Sequence, residues 1–235
     1  MEEYPDDPFV KIDTERSEVS SYPRVIIVRH AESVANGSGI YQGQSYDRDL
    51  STLGRKQAVA LAKRLSPLTI AKIISSPLKR SYQTALEISK LTNIEIQIAP
   101  LIMETNHGAW EGMSKENIKR EYKNLHEMWL RQPSRVSFPG GESFMDTVRR
   151  VETFLESGEL TDGSVVVSHD NIVRIIACKA LGFPYDDIWR HEIEPAAINV
   201  FELMKAGGRV KLRGVAINDV THLYGIRADT NKHAL

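Results

Sequence analysis

Short aliphatic runs alternate with helical spacings along most of this chain. After Arg24 the residues are aliphatic through Val28, the pattern of a strand covered on both faces. Ser51 is a natural helix N-cap, and Ala58, Leu61, Ala62 and Leu65 then recur at i, i+3, i+4 and i+7. Ile70 to Ile74 reads as a second strand, ending in SSP, where Ser76 can cap and Pro77 can start a helix. That helix is expected to run to about Leu91, with Leu78, Tyr82, Ala85 and Leu86 facing inward. A third, alternating strand is expected over Ile94 to Ile98.

The middle of the chain changes pattern. Ile118, Tyr122, Leu125 and Trp129 share one helical face, as do Phe144, Val148, Val151 and Leu155. These predict two amphipathic helices with no strand between them, joined by QPSRVSFPGGES. Val165 to Val167 predicts a fourth strand, leading through SHDN into a helix from Ile172 to Leu181 that Gly182 closes. Ala197 to Met204 and Val210 to Ile217 flank Ala206-Gly207-Gly208 as a hairpin. Alternating strands and helices predict an α/β fold, a three-layer αβα sandwich. Its sheet should be mostly parallel, with one antiparallel edge strand from the hairpin. The two consecutive helices form a small helical cap over about residues 105–160. Residues 1–22, acidic and with two early prolines, read as an extension, leaving 23–235 as a single domain.

Composition narrows the partners. The formal charge is −1, from 30 Lys plus Arg against 31 Asp plus Glu, so nothing points to nucleic acid or a membrane surface. The single cysteine, Cys178, excludes an internal disulfide and fits a reducing compartment. MEEYPDDPFV has no apolar core of a secretory signal, and no apolar run reaches the length of a membrane span. A cytoplasmic enzyme is the expectation.

In parallel sheets, ligands bind at the carboxyl ends of the strands. Two predicted strands end there in reactive residues, Arg29-His30 and Ser168-His169-Asp170. One histidine after a strand carries little weight; two, each beside an ionisable group, carry more. Arg80 falls in the first turn of the helix after SSP, where unpaired N–H groups favour an anion. Together these groups would trap a dianion such as a phosphate. HxH, HExxH and CxxC spacings are missing, so no metal is expected. GxSxG, Walker and GxGxxG motifs are missing too, so side chains must hold the phosphate.

VRHAESVAN resembles the RHG[ET]xxxN signature of the histidine phosphatase superfamily, also called phosphoglycerate mutase-like. SSPLKRSYQTA, IMETNHGAWEG, PGGES and VVVSHDN follow in that family's order, and the resemblance spans residues 24 to about 225. Ala31 stands where glycine is usual. The resemblance implies that His30 is the nucleophile, forming a phosphohistidine. It implies that Arg29, Arg80 and His169 hold the phosphoryl oxygens with help from Asn36, and that Glu104 is the acid and base. Gln42 and Gly43 match loop residues that approach substrate, and His107, Asp170 and Asn171 are further candidates for substrate contact. No cofactor is implied. Relatives often pair through sheet edges, which implies a homodimer.

The superfamily contains phosphatases and mutases. Only about thirty residues separate Gly112 from Glu142, a short cap that admits water and implies hydrolysis. HDN after the valine strand, similar to the mutase HGN, points the other way. The motifs look most like metal-independent phosphoserine phosphatases and α-ribazole phosphatases, which favours phosphoserine among small phosphorylated metabolites. A 2,3-bisphosphoglycerate-dependent mutase is the alternative. A non-catalytic phosphate-binding module ranks last, because His30, Arg29, Arg80, Glu104 and His169 are all present. Glu32 is read as structural or at the pocket rim, and His126, His191, His222 and His233 as surface or structural. Trp110 and Trp129 are read as cap core, and Cys178 as buried and inert.

Overall fold

The computed structural model describes residues 23–206, 209–230 and 233. The acidic extension and the Gly207-Gly208 turn lie outside the described residues. In chain order the elements are β1 (Arg24–Arg29), α1 (Val34–Gly37), α2 (Thr52–Leu65), β2 (Lys72–Ser75), α3 (Lys79–Thr92) and β3 (Ile96–Ile98). Next come α4 (Lys115–Glu121), α5 (Lys123–Arg131), α6 (Phe144–Glu156), β4 (Ser164–Ser168), α7 (Asp170–Leu181), β5 (Ile198–Ala206) and β6 (Arg209–Asp219).

The six strands form one sheet in the order β3-β2-β4-β1-β5-β6. β3, β2, β4 and β1 are mutually parallel, and β5 runs antiparallel to both β1 and β6. The hairpin thus sits at an edge as expected, with β6 outermost and β5 as the reversed strand inside it. Alternation along the strands divides the core between two faces. Val25, Ile27, Ile74 and Val166 pack towards α6 and α7. Val28, Ile73, Val165 and Val167 pack towards α2 and α3. This is the αβα sandwich. Every residue of β4 is buried, as a central parallel strand requires.

Three details differ from the sequence reading. β2 and β3 begin two residues later than expected. The helix expected through Ile118 and Trp129 is two helices, broken at Tyr122 (φ −122°, ψ 36°). Amide bonds from Tyr122 to Ile118 and from His126 to Tyr122 carry the spacing across the break, so periodicity alone does not reveal it. α3 begins at Lys79, not at Pro77, with Leu78 at its N-cap. Its buried face is Arg80, Ser81, Thr84, Ala85 and Ile88, while Tyr82 is exposed. An apolar pattern misplaces this face because its first turns are polar and look into the site. α6 shares one core with α7 and the sheet, and Trp110, Trp129, Phe138 and Phe144 join the same cluster.

Candidate active site

Register brings the site together. Arg29 in β1 lies opposite Ser168 in β4, and the His30 amide extends the ladder to the Ser168 carbonyl at 2.8 Å. The Ser76 amide does the same to the Val167 carbonyl at 3.1 Å. Residues leaving three adjacent parallel strands therefore meet at one edge. His30 and His169 stack edge to face with ring centres 5.2 Å apart.

Each ring is fixed by its hydrogen bonds. His30 Nδ1 lies 2.7 Å from the Ala31 carbonyl, which can only accept, so Nδ1 carries the proton and Nε2 keeps its lone pair. Arg80 Nε reaches that lone pair at 3.2 Å. Burial, then the charges of Arg80 and Arg29, hold the His30 imidazole well below its ordinary value, against the pull of the Ala31 carbonyl. At neutral pH the ring is uncharged and nucleophilic. His169 Nε2 sits 2.8 Å from Ser76 Oγ and 3.2 Å from Ser81 Oγ, while its Nδ1 has no hydrogen bond among the described residues.

Further contacts anchor both cations. Arg80 also donates to the Gly43 carbonyl and to Asp47 Oδ1, both at 3.0 Å. Arg29 pairs with Asp170 Oδ1 at 3.0 Å and donates to the Ile193 carbonyl. At the start of α3, Asp47 accepts the Lys79 amide at 2.7 Å, and its carboxylate offsets the dipole there.

Glu104 stands on the cleft wall, 3 % exposed, with Oε1 accepting the Thr105 amide at 2.8 Å. Burial, then the charge of Asp170, pushes its carboxyl up to about 7, opposed by the Thr105 amide, Arg80 and Arg150. Asp170 behaves oppositely. Burial works to raise it, but Arg174 at 2.8 Å and Arg29 at 3.0 Å outweigh burial and keep it ionised below its ordinary value.

A cleft of about 300 Å³, part of it open to solvent, joins these groups. Arg29, His30, Arg80, Glu104, Asn36, Gln42 and Asp170 line it, as do Ile40 and Tyr41, which the sequence reading missed. No motif marks those two; their place follows from lying between Asn36 and Gln42. Asn36 Oδ1 is held in a capping box with Ser33, which leaves its amide nitrogen for the cleft. Gly43 has a steric reason: a Cβ there would fall 2.0 Å from Glu111 Oε1. Glu111, also missed, accepts the amides of Gln44, Ser45, Tyr46 and His107 at 2.7–3.0 Å and so ties the 43–46 loop down.

The three further candidates for substrate contact are placed differently from one another. His107 is fully buried, donating from Nδ1 to the Gln42 carbonyl at 2.6 Å and packed edge-on against Tyr41 and Phe138. Burial lowers its imidazole to about 4, so it is a neutral core residue. Asn171 donates to Thr105 Oγ1 at 3.0 Å behind the cleft wall. Asp170 does line the cleft, but as an anion it repels phosphate, and its contacts serve Arg29. His126 and His233 are buried, and Glu32 accepts from Ser51 Oγ at 2.6 Å, a structural bond. Cys178 is buried with its thiol pushed up to about 11, hence inert. No helix among the described residues is long and apolar enough to cross a membrane.

The chain is similar to known proteins. The family model described as histidine phosphatase superfamily (branch 1) matches residues 25–216. Phosphoserine phosphatase 1 of Hydrogenobacter thermophilus is 40% identical over 183 residues, 77% of this chain and 86% of that protein. A Yersinia enterocolitica protein named "Probable phosphoglycerate mutase GpmB" is 33% identical over 164 residues, 68% of this chain and 76% of its own length. A mycobacterial glucosyl-3-phosphoglycerate phosphatase structure superposes with a TM-score of 0.74 at 25% identity, covering 83% of this chain and 98% of that one.

Proposed function

The chain belongs to the histidine phosphatase superfamily, and from that premise we propose that it hydrolyses a small phosphomonoester, phosphoserine first among candidates, through a phosphohistidine. One observation carries the reading. A neutral imidazole with an unprotonated Nε2, a carboxyl raised to about 7 and two arginines line the same cleft.

His30 Nε2 attacks phosphorus as the ester P–O bond breaks, and Glu104 gives its proton to the leaving alkoxide oxygen. Arg29, Arg80, the Asn36 amide and His169 Nδ1 hold the equatorial oxygens, where phosphoryl transfer most needs positive charge. Water then attacks the phosphohistidine, Glu104 takes its proton, and inorganic phosphate leaves with His30 restored. Gln42 and the Gly43 loop border the entry to the cleft. The choice of phosphoserine rests on the Hydrogenobacter relative. The mutase reading has support in the Yersinia relative, and one panel tests both.

The experiment measures phosphate release in EDTA from L-phosphoserine, 3-phosphoglycerate, α-ribazole phosphate, a sugar phosphate and p-nitrophenyl phosphate. Wild type should release phosphate, fastest from phosphoserine, and His30→Ala should lose about 10⁴-fold or more while keeping its circular dichroism. Turnover that survives in His30→Ala would sink the mechanism. Interconversion of 2- and 3-phosphoglycerate without release would favour the mutase.

A further inference from the structure

Glu104 sits on an irregular stretch between two 3₁₀ turns, Pro100–Ile102 and Gly108–Trp110, and is itself in no strand or helix. A general acid needs its carboxyl held to within a fraction of an ångström. Gln44 Nε2 donates to the Glu104 carbonyl at 2.8 Å, and the other contacts that meet this need come from one side chain on α6. Arg150 Nη1 donates to the Leu101 carbonyl at 2.8 Å and to that of Met103, and Nη2 donates to the Glu104 carbonyl at 2.9 Å. Its remaining N–H groups grip Glu142, Nη2 to Oε1 at 2.8 Å and Nε to Oε2 at 3.3 Å. Glu142 Oε1 in turn accepts the Asn106 amide at 2.8 Å. The guanidinium and its carboxylate partner therefore hold the backbone on both sides of Glu104.

The PGGES turn allows this. The Glu142 amide donates to the Asn106 carbonyl at 3.0 Å, and a Cβ at Gly141 would lie 2.2 Å from that carbonyl oxygen. Only glycine lets the turn approach so closely. Arg150 does not line the cleft and touches no reacting atom.

We propose that Arg150, with Glu142, is the positioning residue for the general acid: it aims the Glu104 carboxyl at the leaving oxygen. The inference rests on the reaction proposed above. Its fork shape matters, since an ammonium cannot span three carbonyls and a carboxylate. The charged groups acting on Glu104 are Arg29 of β1, Arg80 of α3, Asp170 of α7 and Arg150 itself. Arg150 is among the cations that lower the Glu104 value, so its removal raises that value further.

The test compares kcat/KM for an alkyl phosphate and for p-nitrophenyl phosphate, whose phenolate leaves without help from an acid. kcat/KM reports only the steps up to phosphohistidine formation. In Arg150→Ala the alkyl ester should lose about 100-fold and the aryl ester less than about 3-fold. The alkaline limb of the alkyl-ester profile should move to higher pH. Arg150→Lys should return that limb towards wild type yet recover only part of the alkyl-ester rate. Equal loss on both esters, or an unmoved limb, would overturn the proposal. Should Arg150→Ala fail to fold, Arg150→Lys carries the same ester comparison. His30→Ala run alongside separates the levels: if it keeps turnover, the reaction itself is wrong, whatever Arg150 does.

Discussion

The two sides of the cleft are held in different ways. On the phosphate side, Arg29, His30 and His169 are at or directly after the ends of neighbouring parallel strands, and Arg80 is in the first turn of a helix beside them. Sheet register sets their spacing. On the other side, Glu104 lies on an irregular stretch between two 3₁₀ turns, fixed by the Arg150 guanidinium, the Glu142 carboxylate and the Gln44 side-chain amide. The first side is built by secondary structure and the second by a polar clamp. The two carboxylates of the cleft show the same contrast. Asp170 meets two arginines and stays ionised, whereas Glu104, with burial as its dominant influence, holds a proton to about pH 7. One fold thus keeps one carboxylate ionised and lets the other hold its proton.

Substitutions on each side can sharpen this division. The largest effect after loss of His30 should come from Arg80→Ala, which removes charge from the phosphoryl group and frees the Gly43 and Asp47 contacts. We expect about 10³-fold lower kcat/KM on alkyl and aryl esters alike. Selectivity for one ester class would break the comparison. Glu104→Gln should fall next, about 10²-fold on alkyl phosphates and far less on p-nitrophenyl phosphate. Wild-type kcat/KM on alkyl esters should decline above about pH 7, where Glu104 loses its proton, and Glu104→Gln should lack that limb.

The smallest effect is on stability. The folded Glu104 value of about 7 exceeds its ordinary 4.5, so between these values the folded state keeps a proton that the unfolded chain releases. Stability from this group therefore falls as pH rises through that window and stays reduced above it. Glu104→Gln should be more stable than wild type at pH 8, on the order of 1–3 kcal/mol, with no gain at pH 4. Asp170 has the opposite sign: its contribution is present above its unfolded value and fades as pH drops through the folded one. Denaturant titrations at both pH values would decide; a Glu104→Gln protein no more stable at pH 8 would mean that the carboxyl is not raised.

The sequence by itself determined the strand-and-helix alternation, the sheet, the edge hairpin and the residues that meet at the strand ends. These follow from local rules: an aliphatic run makes a covered strand, and the residue after it lies at the sheet's edge. It did not determine the inward face of α3, whose burial is carried by Arg80, Ser81 and Thr84, polar residues that hydropathy assigns to solvent. Nor did it place His107 in the core, since burial of an imidazole depends on partners 65 and 64 residues away, Gln42 and Asn171. Glu111 and Arg150 were silent for the same reason. Each acts on the backbone of a segment remote in sequence, and main-chain carbonyls and amides carry no residue identity for a pattern to read. Tertiary structure decided which charges met which dipoles, and with that which carboxyl keeps its proton.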